Sequence, residues 1–219
     1  MLILNILISI AAYCGNYLYM TEGGLLLKGL ASGCFALMGL INLIYALIRK
    51  EKNKGFYIFI SAGLMLSMLG DIALNVDFVA GAALFALGHI CYFIGQTFLM
   101  KIKWQDLTAA GIIMAGAGAF LLFHPLLAFP EPFMKWVCFA YALIISLMVG
   151  KAIGNLIRKP CAVTVLYGVG SVLFFFSDLM LVFDWFIGII KNAGELCMAT
   201  YFPAQCLLAY GMYQNTKKK

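Results

Sequence analysis

Three ionisable side chains, Asp71, His89 and Asp178, interrupt stretches of the chain that are otherwise apolar. Carboxyl and imidazole groups carry most general acid–base chemistry. A carboxyl removed from water protonates more readily, which suits it to donate a proton near neutral pH. A charge at mid-bilayer costs about 2.5–3.5 kcal/mol on insertion scales, so such groups are rare and usually functional. Lys28 lies in a further apolar stretch and is a candidate partner for an anionic group. Asp77 and Asp184 stand at the ends of such stretches and read as solvated caps, and His124, beside Pro125, reads as a surface loop residue.

Helical spacing gathers further polar residues around these. Ser67 lies one turn before Asp71. His89, Tyr92 and Gln96 fall at i, i+3 and i+7, one face of a helix. Gly81, Gly88 and Gly95 repeat beside that face, and small residues in a row let a neighbouring helix approach closely. Tyr167, Ser171 and Asp178 form a stripe at i, i+4 and i+11, and Tyr201 and Gln205 are one turn apart. Taken singly, a histidine, tyrosine or glutamine often serves as interhelical glue. The two acids gain nothing from such a role. Four polar stripes buried against one another predict a polar cavity between helices.

The elements that must position these residues follow from composition. Of 219 residues, 64% are hydrophobic and 11% charged, against about 45–50% and 25% in soluble domains. That excess points to an integral, multi-pass membrane protein and excludes a disordered or nucleic-acid-binding chain. Eight stretches reach spanning length: Leu2–Met20, Leu25–Ile48, Phe56–Val76, Phe78–Met100, Leu107–Phe123, Phe133–Gly150, Cys161–Phe186 and Glu195–Tyr213. They are continuous rather than alternating, which excludes barrel strands. The fold expected is all-α, with eight transmembrane helices in a single domain, 1–219. Seven cysteines are scattered with no C-x-x-C pair, so no metal site, disulfide framework or cofactor is called for.

Of 15 basic residues, 12 follow spans two, four, six and eight: Arg49, Lys50, Lys52, Lys54, Lys101, Lys103, Lys151, Arg158, Lys159 and Lys217 to Lys219. The positive-inside rule makes that side cytoplasmic and puts both termini there. The net charge of +6 is thereby a topology signal, not a sign of a nucleic-acid partner. The first span lacks a basic leader and an A-x-A site, and reads as an uncleaved helix.

Two segments echo each other. Gly63 to Asp71 and Gly170 to Asp178 both place glycine eight positions before the acid, and a second acid (Asp77, Asp184) follows six positions later. Tyr92-Phe93-x-x-Gln96 is echoed by Tyr201-Phe202-x-x-Gln205. The offsets, 107 for the acids and 109 for the tyrosines, divide the chain into four-helix halves, about 1–104 and 105–219. An even number of helices per half gives the halves the same orientation, related by an axis along the membrane normal.

Ser67-Met-Leu-Gly-Asp71, Phe85-Ala-Leu-Gly-His89-Ile-Cys-Tyr92, Ser177-Asp178 and Tyr201-Phe-Pro-Ala-Gln205, in this order, resemble the YhhN-like lysoplasmalogenase family of eight-span membrane proteins. The resemblance runs from Lys28 to Gln205. The family often has Lys-Pro where this chain has Lys28-Gly29. It implies hydrolysis of the vinyl ether bond of a lysoplasmalogen to a fatty aldehyde and a glycerophospho-base, with a lysophospholipid and the bilayer as partners. Such chemistry requires a proton donor, a carboxylate to stabilise an oxocarbenium ion and a base for water, roles that paired carboxyls divide in glycosidases. Asp71 and Asp178 are the expected acid/base and charge-stabilising pair, with His89 assisting proton transfer. Ser67, Tyr92, Gln96, Tyr201 and Gln205 would position substrate or water, and Lys28 the phosphate. Compact loops favour a bacterial plasma membrane over the endoplasmic reticulum. The competing expectation is a proton-coupled transporter, which midplane carboxyls and repeats suit equally. An intramembrane aspartyl protease would show G-x-G-D, absent before Asp71, and a purely structural protein would tolerate loss of both acids.

Overall fold

A computed structural model describes residues 1–217; Lys218 and Lys219 of the basic tail lie outside the described residues. Eight helices run in sequence: α1 (Leu2–Glu22), α2 (Leu25–Ile48), α3 (Lys54–Leu74), α4 (Phe78–Thr97), α5 (Trp104–Phe123), α6 (Pro132–Arg158), α7 (Ala162–Phe186) and α8 (Ala193–Thr216). No strand occurs among the described residues. All but α8 are long and apolar enough to cross a membrane. Helices suit that setting because each satisfies its backbone hydrogen bonds internally.

The turns follow from local chemistry. Gly23 and Gly24 take φ of +72° and +96° between α1 and α2, a region that costs glycine nothing. Asp77 caps α4, its Oδ1 accepting from the Ala80 amide at 2.7 Å. The Asn5 and Asn42 side chains pair with each other, and Asn42 Nδ2 donates to the Ala209 carbonyl at 2.9 Å. The start of α1 and the ends of α2 and α8 therefore lie at one end of the bundle. Most basic residues sit at this end too.

α2, α3, α4, α6, α7 and α8 pack in that cyclic order, α8 closing against α2. α1 lies outside, seated on α2 and α8, whereas α5 lies outside with its backbone close to α6 alone. The tightest pairings are the hairpins α3–α4 and α7–α8. At the first, the glycine row works as its spacing implies: Gly81 meets the Leu74 backbone, Gly88 faces Ser67 and the Gly63 carbonyl, and Gly95 faces Ile60. α8 is the least apolar helix because so much of it is interior, with Tyr201, Phe202, Gln205, Leu208 and Met212 all buried.

The sixth span departs most from its expected limits. α6 continues eight residues beyond Gly150 to Arg158, so Lys151 is not a loop residue. Its ammonium is fully buried and meets Asp106 Oδ2 at 2.9 Å, while Arg158 meets Asp106 Oδ1 at 2.6 Å. Asn155 accepts from both cations at 2.9 Å. Neutralisation by Asp106 lets the helix carry two basic residues past the apolar run that defines the span.

Candidate active site

Asp71 and Asp178 sit in two separate clusters built from different helices, with no hydrogen bond between them. Around Asp71, α2 and α8 supply the partners. Lys28 Nζ stands 3.9 Å from Oδ1, and the Tyr201 hydroxyl donates to Oδ2 at 2.8 Å. Ser32, one turn after Lys28, also donates to Oδ2. Lys28 is itself buried and lies over the Tyr19 ring at 5.5 Å, placed as the counter-ion of Asp71.

Around Asp178 the partners come from α4 and α6. The Tyr141 hydroxyl donates to Oδ2 at 2.7 Å, and His89 Nε2 lies 2.8 Å from the Tyr141 oxygen and 3.3 Å from Asp178 Oδ2. The other ring nitrogen, Nδ1, faces Met148 Sδ at 3.3 Å. Ser177 Oγ turns back to the Phe174 carbonyl. The clusters thus mirror each other in the order of their helices: α2, α3 and α8 around one acid, α6, α7 and α4 around the other.

Aromatic rings separate the two. Phe174 packs edge-on against both Tyr201 (5.3 Å) and His89 (4.6 Å), and Phe85 adds a second ring at 5.9 Å from Tyr201. A third polar group lies beside them, where Tyr92 donates to Gln205 Oε1 at 2.7 Å and stands 3.3 Å from Ser67 Oγ. Gln96 lies further toward the basic end. Its side-chain amide and the buried Gln205 Nε2 and Ser171 Oγ have no hydrogen-bond partner among the described residues, a condition that ordered water commonly relieves. Tyr167, on the same stripe as Asp178, is committed to the Leu208 carbonyl at 2.9 Å.

The polar stripes therefore converge as packed clusters, not as the polar cavity their spacing predicts. Many of their hydrogen-bonding groups are spent on one another. The cavity lies to one side. It has a volume of about 470 Å³ between α4, α5, α6 and α7, and its walls are aliphatic and aromatic except at Asp178 and Tyr141. Asp178 reaches it with a side chain 17% exposed, whereas Asp71, at 2%, does not. His124 is the first residue of the loop after α5, as expected, half-buried with its ring tilted against Phe120 at 4.8 Å and beside Phe183.

Tyr141, Ser32 and Met148 escaped the sequence reading. Tyr141 and Ser146 are the two hydroxyls in the middle of span six, and a hydroxyl in mid-span was the available signal. Without an acid in its own span, Tyr141 had no partner to point to.

No solved structure matches the chain. A stretch of 157 residues is 29% identical to the lysoplasmalogenase TMEM86B of Rattus norvegicus, covering 70% of this chain and 61% of that protein. The chain thus spans about three-fifths of the length of that curated relative. The family model named YhhN matches residues 25–212, a range that contains both acid clusters and the walls of the cavity, and the chain belongs to the YhhN family.

Proposed function

We propose that the protein hydrolyses the vinyl ether bond of a lysoplasmalogen or a closely related lysolipid, with Asp178 as the proton-transferring carboxyl. The name of the rat relative supports the reaction class. The observation that carries the assignment is the exposure of Asp178 in the wall of an apolar cavity, gripped by Tyr141 and backed by His89.

In this reading the Asp178 carboxyl delivers its proton to the outer alkene carbon. The carbon–carbon double bond becomes single, and the ether oxygen shares its lone pair to form an oxocarbenium ion. The resulting Asp178 carboxylate stabilises that cation, a charge-complementary arrangement that is worth most in an apolar site. Water adds to the cationic carbon and yields its proton to the Asp178–His89 pair. The hemiacetal then collapses: its hydroxyl loses a proton as the C=O bond forms, the bond between that carbon and the glycerol oxygen breaks, the glycerol oxygen takes up one proton in exchange, and the aldehyde departs. One water is consumed and the carboxyl ends protonated as it began.

Asp71 has a different part. Paired with Lys28, it anchors the Tyr201 hydroxyl, and the Tyr201 ring holds Phe174 against His89. It is a positioning residue. Ser67, Tyr92 and Gln205 act beside it by fixing the α3–α4–α8 contact.

The test is aldehyde release from lysoplasmalogen by the purified protein in detergent, read by mass. No ion gradient exists there, so turnover also separates hydrolysis from coupled transport. Asp178→Asn is expected to lower kcat about 10²–10⁴-fold, the usual range for a lost general acid. Wild-type turnover in that variant, or no aldehyde from the wild type, overturns the assignment.

A further inference from the structure

The two acid clusters use the same arrangement of helices, yet their surroundings differ at one seam. Beside the Asp71 cluster, α1 closes against α8. At the corresponding seam beside the Asp178 cluster, α5 stands off α4 and keeps its backbone against α6 alone. The cavity of about 470 Å³ occupies that gap. Its volume lies in the range of about 300–1,000 Å³ typical of small-molecule sites. α5 lines the gap with Ile112, Ile113, Phe120 and Leu121, and between these pairs stand the two small residues Gly116 and Ala117. Gly116 is exposed along this wall, and a Cβ there would meet no atom within 4 Å, so a larger side chain is accommodated without a clash. The far end is closed by Phe120 against Phe183, ring centroids 5.4 Å apart.

We propose that this cavity binds the aliphatic chain of a single-chain lipid, and that Gly116 and Ala117 set the length of chain it accepts. The proposal rests on the reading above only in placing the lipid's reacting bond at Asp178. The walls fix the chemistry of the occupant: apart from Asp178 and Tyr141 they offer a ligand almost nothing but hydrocarbon and rings, and one carboxyl with one hydroxyl can meet a single polar junction. A lipid with one chain and one such junction matches that pattern. Each methylene withdrawn from the site weakens binding several-fold, so a side chain built inward from position 116 penalises long chains before short ones.

The glycines of α5 provide a control within the same helix. Gly111 also has open space where a side chain would go, but it borders a separate groove between α5 and α6. Replacing either glycine gains the same helix propensity, so stability does not distinguish the variants. The probe is a lysophosphatidylcholine whose hexadecanoyl chain ends in a diazirine, photolysed with the full-length protein in detergent, the labelled peptides being identified by mass spectrometry. Label is expected on the cavity-lining segments of α5, α6 and α7. Competition by unlabelled hexadecanoyl lysolipid should weaken about tenfold in Gly116→Phe, equivalent to about 1.4 kcal/mol, and remain at wild-type strength in Gly111→Phe. Decanoyl lysolipid should compete nearly equally in all three proteins. Gly116→Leu serves if the phenylalanine variant does not purify as a monodisperse species.

Unchanged competition in the Gly116 variants, label confined to the outer surface of the bundle, or equal displacement by a sterol overturns the proposal. Labelling that follows the expected pattern in a protein releasing no aldehyde supports the chain site and removes the vinyl ether reading. Aldehyde release with chain-length preference unaltered by Gly116→Phe does the reverse.

Discussion

At the scale of single residues, the two aspartates look equivalent in the amino-acid sequence and differ in their neighbours. Both follow a small residue, and both lie on helices that carry a glycine eight positions earlier. Lys28 then satisfies one with a buried cation, while the other receives a phenol and an imidazole at the edge of a cavity. Tyr141→Phe tests that difference. It keeps the ring and removes the donor held 2.7 Å from Asp178. Loss of one such donor is expected to lower kcat about tenfold to a hundredfold with little change in KM, the pattern of a contact that matters in the transition state. Steady-state kinetics on lysoplasmalogen measure the split. Asp71→Asn should behave otherwise: a loss of thermal stability, and a fall in turnover well short of that in Asp178→Asn. Removing one member of a buried ion pair typically costs about 3–5 kcal/mol because the other charge is left uncompensated. Equal collapse of turnover in both aspartate variants at unchanged stability would return Asp71 to the reacting centre. The acids, His89 and the tyrosines of α4 and α8 were legible because each interrupts an apolar run. Lys28 was legible too, but its partner was not, since spacing within a helix says nothing about which side chain an adjacent helix presents.

At the scale of elements, apolar length located all eight helices, and its errors gather where charge is neutralised by tertiary contact. α2 has the limits its hydropathy implies, because Gly24 and Arg49 bound it on both sides. α6 overran because Lys151 and Arg158 end an apolar stretch without ending a helix once Asp106 of α5 meets them. A side chain at Gly154 would overlap the Asp106 carboxylate, so Gly154→Ala is expected to lower the unfolding temperature in detergent, and Asp106→Asn to lower it further by stranding two cations. Static light scattering with temperature, or a thiol-independent dye assay, reads both. Neither change touches the cavity, so the residual folded protein should keep its KM. An unfolding temperature unmoved by Asp106→Asn would show that the cations find water at that end of the bundle.

At the scale of the whole molecule, packing rather than polarity decides where a ligand can go. Convergence of the polar stripes was legible from helical periodicity, but the hollow was not, because it arises from the wide backbone separation of α5 and α4, which leaves no mark on either helix alone. The bundle is otherwise drawn tight by neutral hydrogen bonds such as Asn5–Asn42–Ala209 across α1, α2 and α8. Bonds of this kind average about 0.6 kcal/mol in membrane proteins. Asn42→Ala should therefore shift thermal unfolding only slightly, by far less than Asp106→Asn, and an equal shift would rank the two contacts differently.

The interior position of α8 also bears on how the protein is made. Seven helices are apolar enough to enter a bilayer on their own merits, while the eighth, which follows them in the chain, is the most polar and touches α1, α2, α3 and α7. Because α8 is made last, Tyr201 and Gln205 are the last of these partners to be synthesised, after Asp71 and Tyr92. Until then, among the described residues, Asp71 has only Lys28 and Ser32 of α2 as partners, and Tyr92 only Ser67 of α3. Arrival of α8 completes these contacts and closes the ring of helices against α2, so a chain ending before Ala193 is expected to lose most of the thermal stability of the whole bundle.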